Sequence, residues 1–105
     1  MTPILQTLHH CQVTCEHMTI MLSRGQDVHL RVRQLELLRD CADICAYTQK
    51  FVARHSSFAK VTANLCASVC EACANECLKF PDPDSQNCGR ICLNCARECR
   101  VFAAV

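Results

Sequence analysis

"CASVCEACANEC", Cys66 to Cys77, sets its cysteines at i, i+4, i+7 and i+11, and "CGRICLNCAREC", Cys88 to Cys99, repeats the spacing. At about 100° per residue these steps return to one side of an α-helix, so each stretch reads as a helix carrying an unbroken stripe of sulfur. The same i, i+4 spacing joins Cys11 to Cys15 and Cys41 to Cys45. All 12 cysteines therefore fall into CxxxC pairs: Cys11/Cys15, Cys41/Cys45, Cys66/Cys70, Cys73/Cys77, Cys88/Cys92 and Cys95/Cys99.

Breakers between the pairs divide the chain into four helical segments. "SRGQD" (Ser23 to Asp27), "HSS" (His55 to Ser57) and "PDPDS" (Pro81 to Ser85) separate predicted helices at Ile4 to Leu22, Asp27 to Arg54, Ser57 to Phe80 and Pro83 to Phe102. Gly25 suits a left-handed helix end, Asp27 and Ser56 or Ser57 suit the caps of the next helices, and Asp82 followed by Pro83 gives an N-cap with proline at the first helical position. Short connections make neighbouring helices antiparallel. The expected fold is all-α, an antiparallel up-down-up-down four-helix bundle with a cysteine-lined core, formed by residues 1–105 as one domain. Two Gly, three Pro and no Trp in a chain of 105 residues agree with helices rather than a strand-rich sandwich.

Extending the stripe predicts the interior. The first helix contributes Ile4, Leu8, Cys11, Cys15, Met18 and Leu22, and the second Leu30, Gln34, Leu38, Cys41, Cys45, Thr48 and Val52. Glu16, Glu36, Asp43, Lys50, Glu71, Arg90 and Arg97 fall on the opposite faces. One end of such a bundle gathers Ile4, Leu8, Val52, Ala59 and Phe102, with Phe51 and Phe58 nearby, and reads as plugged. The other gathers Met18, Leu22, Asp27, Arg31, Phe80, Asp84 and Ser85, with Cys77 and Cys88 just inside, and reads as a mouth.

Eleven Lys and Arg against ten Asp and Glu leave a net charge of +1, so no general field draws the chain to nucleic acid or anionic lipid. The opening "MTPILQTLHHC" has no basic region ahead of an apolar run, and nothing approaches the roughly 18 apolar residues of a membrane span. Met1 reads as an initiator and the protein as cytosolic, where thiols stay reduced and many cysteines point to metal binding or redox chemistry rather than a disulfide framework.

Cysteine packs as a small hydrophobe, but ordinary core positions would use Leu, Ile, Val and Ala and would not select i, i+4 pairs. Disulfides within a CxxxC pair would strain the helix because the Cβ vectors run side by side, although cross-helix bonds remain geometrically open. Structural zinc usually takes C-x2-C knuckles on loops or helix starts, whereas the C-x2-C steps here, Cys70 to Cys73 and Cys92 to Cys95, join CxxxC pairs within a helical stripe; the common iron–sulfur run C-x2-C-x2-C-x3-C-P does not occur. Paired soft donors suit an ion content with two or three sulfurs, and Cu(I) is the first-row ion such ligands select. One ion per pair gives about six ions, and bridging thiolates raise that number. Zinc or another thiophilic metal, and a redox or iron–sulfur electron-transfer role, remain the competing readings.

In these inward pairs and the two CxxxCxxCxxxC runs the chain resembles the four-helix-bundle copper storage proteins over nearly its whole length. The resemblance implies a cytosolic bundle, commonly tetrameric, storing multiple Cu(I) ions on the 12 matching cysteine positions; a copper chaperone is a candidate partner beside the metal ions. No cysteine has a general-base partner in sequence and no nucleotide loop occurs, so an enzyme is not expected. Met18, one i+3 step from Cys15, is a candidate to pass Cu(I) inward. His9, His10, His17 and His29 point away from the sulfur face, and His55 falls near the plugged end. Val13, Ile20, Val32 and Leu35 lie off the stripe, where they are available for a subunit contact.

Overall fold

The computed structural model describes residues 2–105. Its elements are α1 (Pro3–Ser23), a 3-10 turn (Val28–Leu30), α2 (Val32–Ala53), α3 (Ala59–Cys77) and α4 (Pro83–Ala104). Each helix packs on its sequence neighbours, and α1 closes against α4, which gives the antiparallel four-helix bundle, 43 × 20 × 18 Å. No helix among the described residues is long and apolar enough to cross a membrane.

The predicted stripe becomes the core. Leu8, Cys11, Cys15, Met18 and Leu22 are buried on α1, and Gln34, Leu38, Cys41, Cys45, Thr48 and Val52 on α2. Alanines fill the flanks: Ala63, Ala67 and Ala74 on α3 and Ala96 on α4 are buried between the sulfurs and the neighbouring helices. Small side chains there let the helices approach while the thiols face inward. At Gly89 there is no room for a side chain, because a Cβ on it would lie 2.6 Å from Cγ of Leu78.

The termini depart from expectation in four places. Asp27 does not cap α2; its carboxylate takes the Nε–H of Arg31 at 3.0 Å, and the backbone makes a 3-10 turn before α2 begins at Val32. The tighter turn shifts the helical phase, so Leu30 leaves the stripe and is 65% exposed. Gly25 is not left-handed. α1 ends instead in i→i+3 bonds from Arg24 N–H to the Met21 carbonyl and from Gly25 N–H to that of Leu22.

The left-handed residue is His55, with φ 54°, at the end of α2. Ser56 N–H donates to the Phe51 carbonyl and His55 N–H to that of Val52, the paired bonds of a Schellman motif in which glycine is the usual occupant. Neither Ser56 nor Ser57 caps α3: the Ser56 hydroxyl accepts from Phe58 N–H within the turn, and α3 starts at Ala59. At its other end α3 stops at Cys77, short of Phe80, because Pro81 biases the preceding residue away from helical backbone. Gln86 then donates to the carbonyls of Leu78 and Phe80. Asp82 caps α4 as expected, accepting from Ser85 N–H at 3.0 Å with Pro83 in the first turn.

Candidate metal centre

All 12 cysteines are free thiols with no exposed surface. The i, i+4, i+7, i+11 spacing aims four from α3 and four from α4 at the bundle axis, where the pairs of α1 and α2 meet them. Cys41 and Cys70 stand 3.5 Å apart, Cys15 and Cys92 3.7 Å, and Cys45 and Cys66 3.7 Å. Cys11 joins Cys41 at 3.9 Å and Cys92 at 3.8 Å, while Cys73 reaches Cys92 at 4.0 Å. Sulfur contacts thus run without a gap from Cys66 to Cys73 through all four helices.

Most of these contacts join different helices. Of the CxxxC pairs, Cys66/Cys70 makes a direct contact, at 3.8 Å. Three groups of four thiols have their sulfurs within 4.8 Å of one another: Cys11, Cys41, Cys45, Cys70; Cys11, Cys15, Cys41, Cys92; and Cys45, Cys66, Cys70, Cys95. Each draws on three helices and shares members with the next. Cys73, Cys77, Cys88 and Cys99 lie outside the three groups.

Hydrogen bonding with neighbouring thiols, Cys11 foremost, and then burial push Cys15, Cys45, Cys70 and Cys92 well above the ordinary thiol value. Cys11 and Cys41 are drawn below it by the S–H groups of Cys15 and Cys11 respectively. Cys73 and Cys88 raise Cys77. The thiols share their protons as one set, which a soft cation displaces on binding.

At the end read as a mouth, the residues gather as expected but close it. Arg31, 8% exposed, donates through Nε to Asp27, through one terminal nitrogen to Gln34 and Ser85, and through the other to Asp82. Its guanidinium lies 4.1 Å over the Phe80 ring. Gln34, fully buried, donates to Ser85 at 2.9 Å and to Sγ of Cys77 at 3.4 Å. Burial works against the Arg31 charge, but Asp27 and Asp82 outweigh it and raise its pKa; burial likewise opposes the Asp82 carboxylate, and Ser85 and Arg31 hold it low. Asp82 and Gln34 were legible separately, as a cap and a stripe position, but their meeting through Arg31 was not. Asp84, expected on the rim, is exposed in the first turn of α4.

Met18 sits on the sulfur face, 2% exposed, a turn beyond Cys15. At the opposite end Leu8, Val52 and Ala59 are buried as predicted, but Phe58 is 64% exposed, and a cleft of about 410 Å³ opens outside them between Ile4, Leu5, Val52, His55 and Phe102. His9, His10, His17, His29 and His55 are all exposed and belong to none of the four-thiol groups.

Comparison with known proteins agrees with this geometry. Over 95% of each chain, the bundle superposes on apo copper storage protein 3 of Bacillus subtilis with a TM-score of 0.89 at 35% identity. The Cu(I)-bound form of that protein gives 0.88 at 36% identity, over 95% of this chain and 94% of that one. A Nitrosospira multiformis protein gives 0.85 at 31% identity, over 96% and 92%. The uncharacterized cysteine-rich protein YhjQ of B. subtilis is 41% identical over 70 residues, a stretch covering 66% of this chain and 64% of that relative's length. The profile of the family described as copper storage protein matches residues 1–104, and the chain belongs to that family.

Proposed function

We propose that the protein is a cytosolic store or buffer for Cu(I), holding multiple ions on Cys11, Cys15, Cys41, Cys45, Cys66, Cys70, Cys73, Cys77, Cys88, Cys92, Cys95 and Cys99. The observation that carries this reading is the unbroken row of buried, unoxidised thiols from four helices, spaced 3.5 to 4.0 Å apart. Each Cu(I) bound by two thiols displaces two protons and forms two Cu–S bonds, leaving no change in oxidation state. Because neighbouring four-thiol groups share sulfurs, a thiolate can bridge two ions, and the tube fills along its length. Burial keeps the bound ions from water. The Cu(I)-bound relative supports the choice of ion.

Met18 is the proposed thioether step between the Arg31 end and Cys15, since it sets a soft sulfur on the same buried face of α1 as Cys11 and Cys15. The reading is one of storage and not of catalysis, with the residues 1–105 acting as a single unit. A copper chaperone supplies the ion, and the bundle assembles as a homotetramer. The resemblance to copper storage proteins supports the assembly, and Val13, Ile20 and Val32, 45 to 55% exposed, offer apolar surface for it. Sedimentation of the reduced protein tests that part.

Anaerobic titration of the reduced protein with Cu(I), against a competing chelator and with thiols counted, tests the function. Several tightly held, colourless ions, with thiol reactivity lost in proportion, are expected. Preferential retention of zinc, or visible iron–sulfur absorbance in protein purified without air, overturns it.

A further inference from the structure

We propose that Arg31 is a gate on the thiol row, latched by Asp27 and Asp82 and coupled through Gln34 to Cys77. The inference rests on the storage reading and adds the control of exchange.

A buried guanidinium is a costly way to close the end of a bundle, since a packed apolar side chain seals as well without desolvating a charge. The opposite end is closed in that cheaper way, by Leu8, Val52 and Ala59. What the charge adds is reversibility. The latch joins three separate pieces of chain: Asp27 before the 3-10 turn, Gln34 on α2, and Phe80, Asp82 and Ser85 where α3 passes into α4. Asp27 and Asp82 keep side-chain exposures of 48% and 32%, so water, salt or an incoming partner reaches the latch from outside while the thiols stay covered.

The segment that carries the gate packs lightly on the core. Val28, His29 and Leu30 form the 3-10 turn and none of them is buried, so swinging it outward withdraws no apolar side chain from the core. Arg31 is the junction between that turn and α2. Its departure leaves Gln34 without the donor on Oε1, which frees the amide that holds Cys77 at 3.4 Å. Cys77 is thus both the thiol nearest the latch and one outside the three four-thiol groups. Because Asp27 and Asp82 together neutralise Arg31, the gate opens to a partner whose own charged groups compete for the latch's ion pairs.

The test is the rate of exchange, read separately from capacity. Reduced protein receives Cu(I) from an anionic, water-soluble bidentate chelator under anaerobic conditions, and a stronger chelator then removes it. Asp82→Asn keeps an N-cap residue for α4 but weakens the latch; Arg31→Gln removes it. Both are expected to leave capacity unchanged and to speed uptake and removal about tenfold, the weight of one charge-assisted hydrogen bond. Wild-type rates should rise with salt, which screens the exposed side of the latch, more steeply than those of Asp82→Asn. Phe102→Ala at the opposite end should exchange at the wild-type rate. Full capacity with unaltered rates in both latch variants overturns the gate, as does an equal acceleration in Phe102→Ala. A wild type that takes up no Cu(I) overturns the storage reading itself.

Discussion

The two ends of the bundle are closed by different physics. At one, Leu8, Val52 and Ala59 exclude water by volume, with Ile4 and Phe102 partly buried around them. At the other, Arg31, Gln34, Ser85, Asp27 and Asp82 exclude it with a satisfied polar network; no buried side-chain nitrogen or oxygen among the described residues lacks a partner. Apolar closure is non-directional and insensitive to salt and pH over ordinary ranges. Polar closure depends on the charge of each member, so the same barrier can be opened by changing conditions or partners.

The contrast predicts a graded set of responses. Leu8→Ala should cost about 2–5 kcal/mol in chemical denaturation of the metal-free reduced protein, since a fully buried leucine leaves a cavity. A loss below 1 kcal/mol would mean that the outer cleft collapses to fill the space. Arg31→Ala should cost about 2–3 kcal/mol, because it strands the buried Gln34 Oε1 and removes the partner of Asp27 and Asp82, which recover only water. If the two losses are equal in high salt as well as low, the distinction between the ends fails.

Acid should act on the polar end. The Asp82 carboxyl has its folded pKa held below the ordinary carboxylate value near 4. Its contribution is therefore fully present above that value and is lost as pH falls through the lowered folded value. Comparing wild type with Asp82→Asn by urea unfolding between about pH 5 and pH 2 should show their stabilities converging toward acid. Parallel curves would remove Asp82 from the latch.

Two smaller effects lie outside the comparison and calibrate it. His55→Gly should raise stability by a few tenths to about 1 kcal/mol, by relieving a left-handed side chain in the Schellman turn. Arg100→Ala should change stability by less than about 0.5 kcal/mol. Its pair with Glu71 joins α4 to α3 at 2.5 Å, but both side chains are more than 40% exposed.

The bundle was legible because sulfur spacing and helical periodicity coincide: one stripe on each of four segments leaves little freedom in which faces meet. Helix ends were less legible. Asp27 offers a good cap in isolation, yet an arginine four residues on competes for the same carboxylate and wins, with the 3-10 turn as consequence. At His55 the motif was set by where α2 had to stop, and no glycine marked it. The gathering of Asp27, Arg31, Phe80 and Ser85 at one end was read from the register of antiparallel helices, but the closure they make was not, since Arg31 and Asp82 are separated by a helical hairpin in sequence.

By itself the sequence determined the helical class, the inward direction of every cysteine and the soft-metal chemistry, because i+3 and i+4 steps act within one helix and need no partner. The tertiary structure decided which sulfurs meet. Cys41 meets Cys70 at 3.5 Å and Cys15 meets Cys92 at 3.7 Å, sulfurs drawn from different helices, alongside Cys66 and Cys70 one turn apart on α3 at 3.8 Å. It also decided that one end is latched by charge. That depends on loops approaching in space, which local periodicity does not encode.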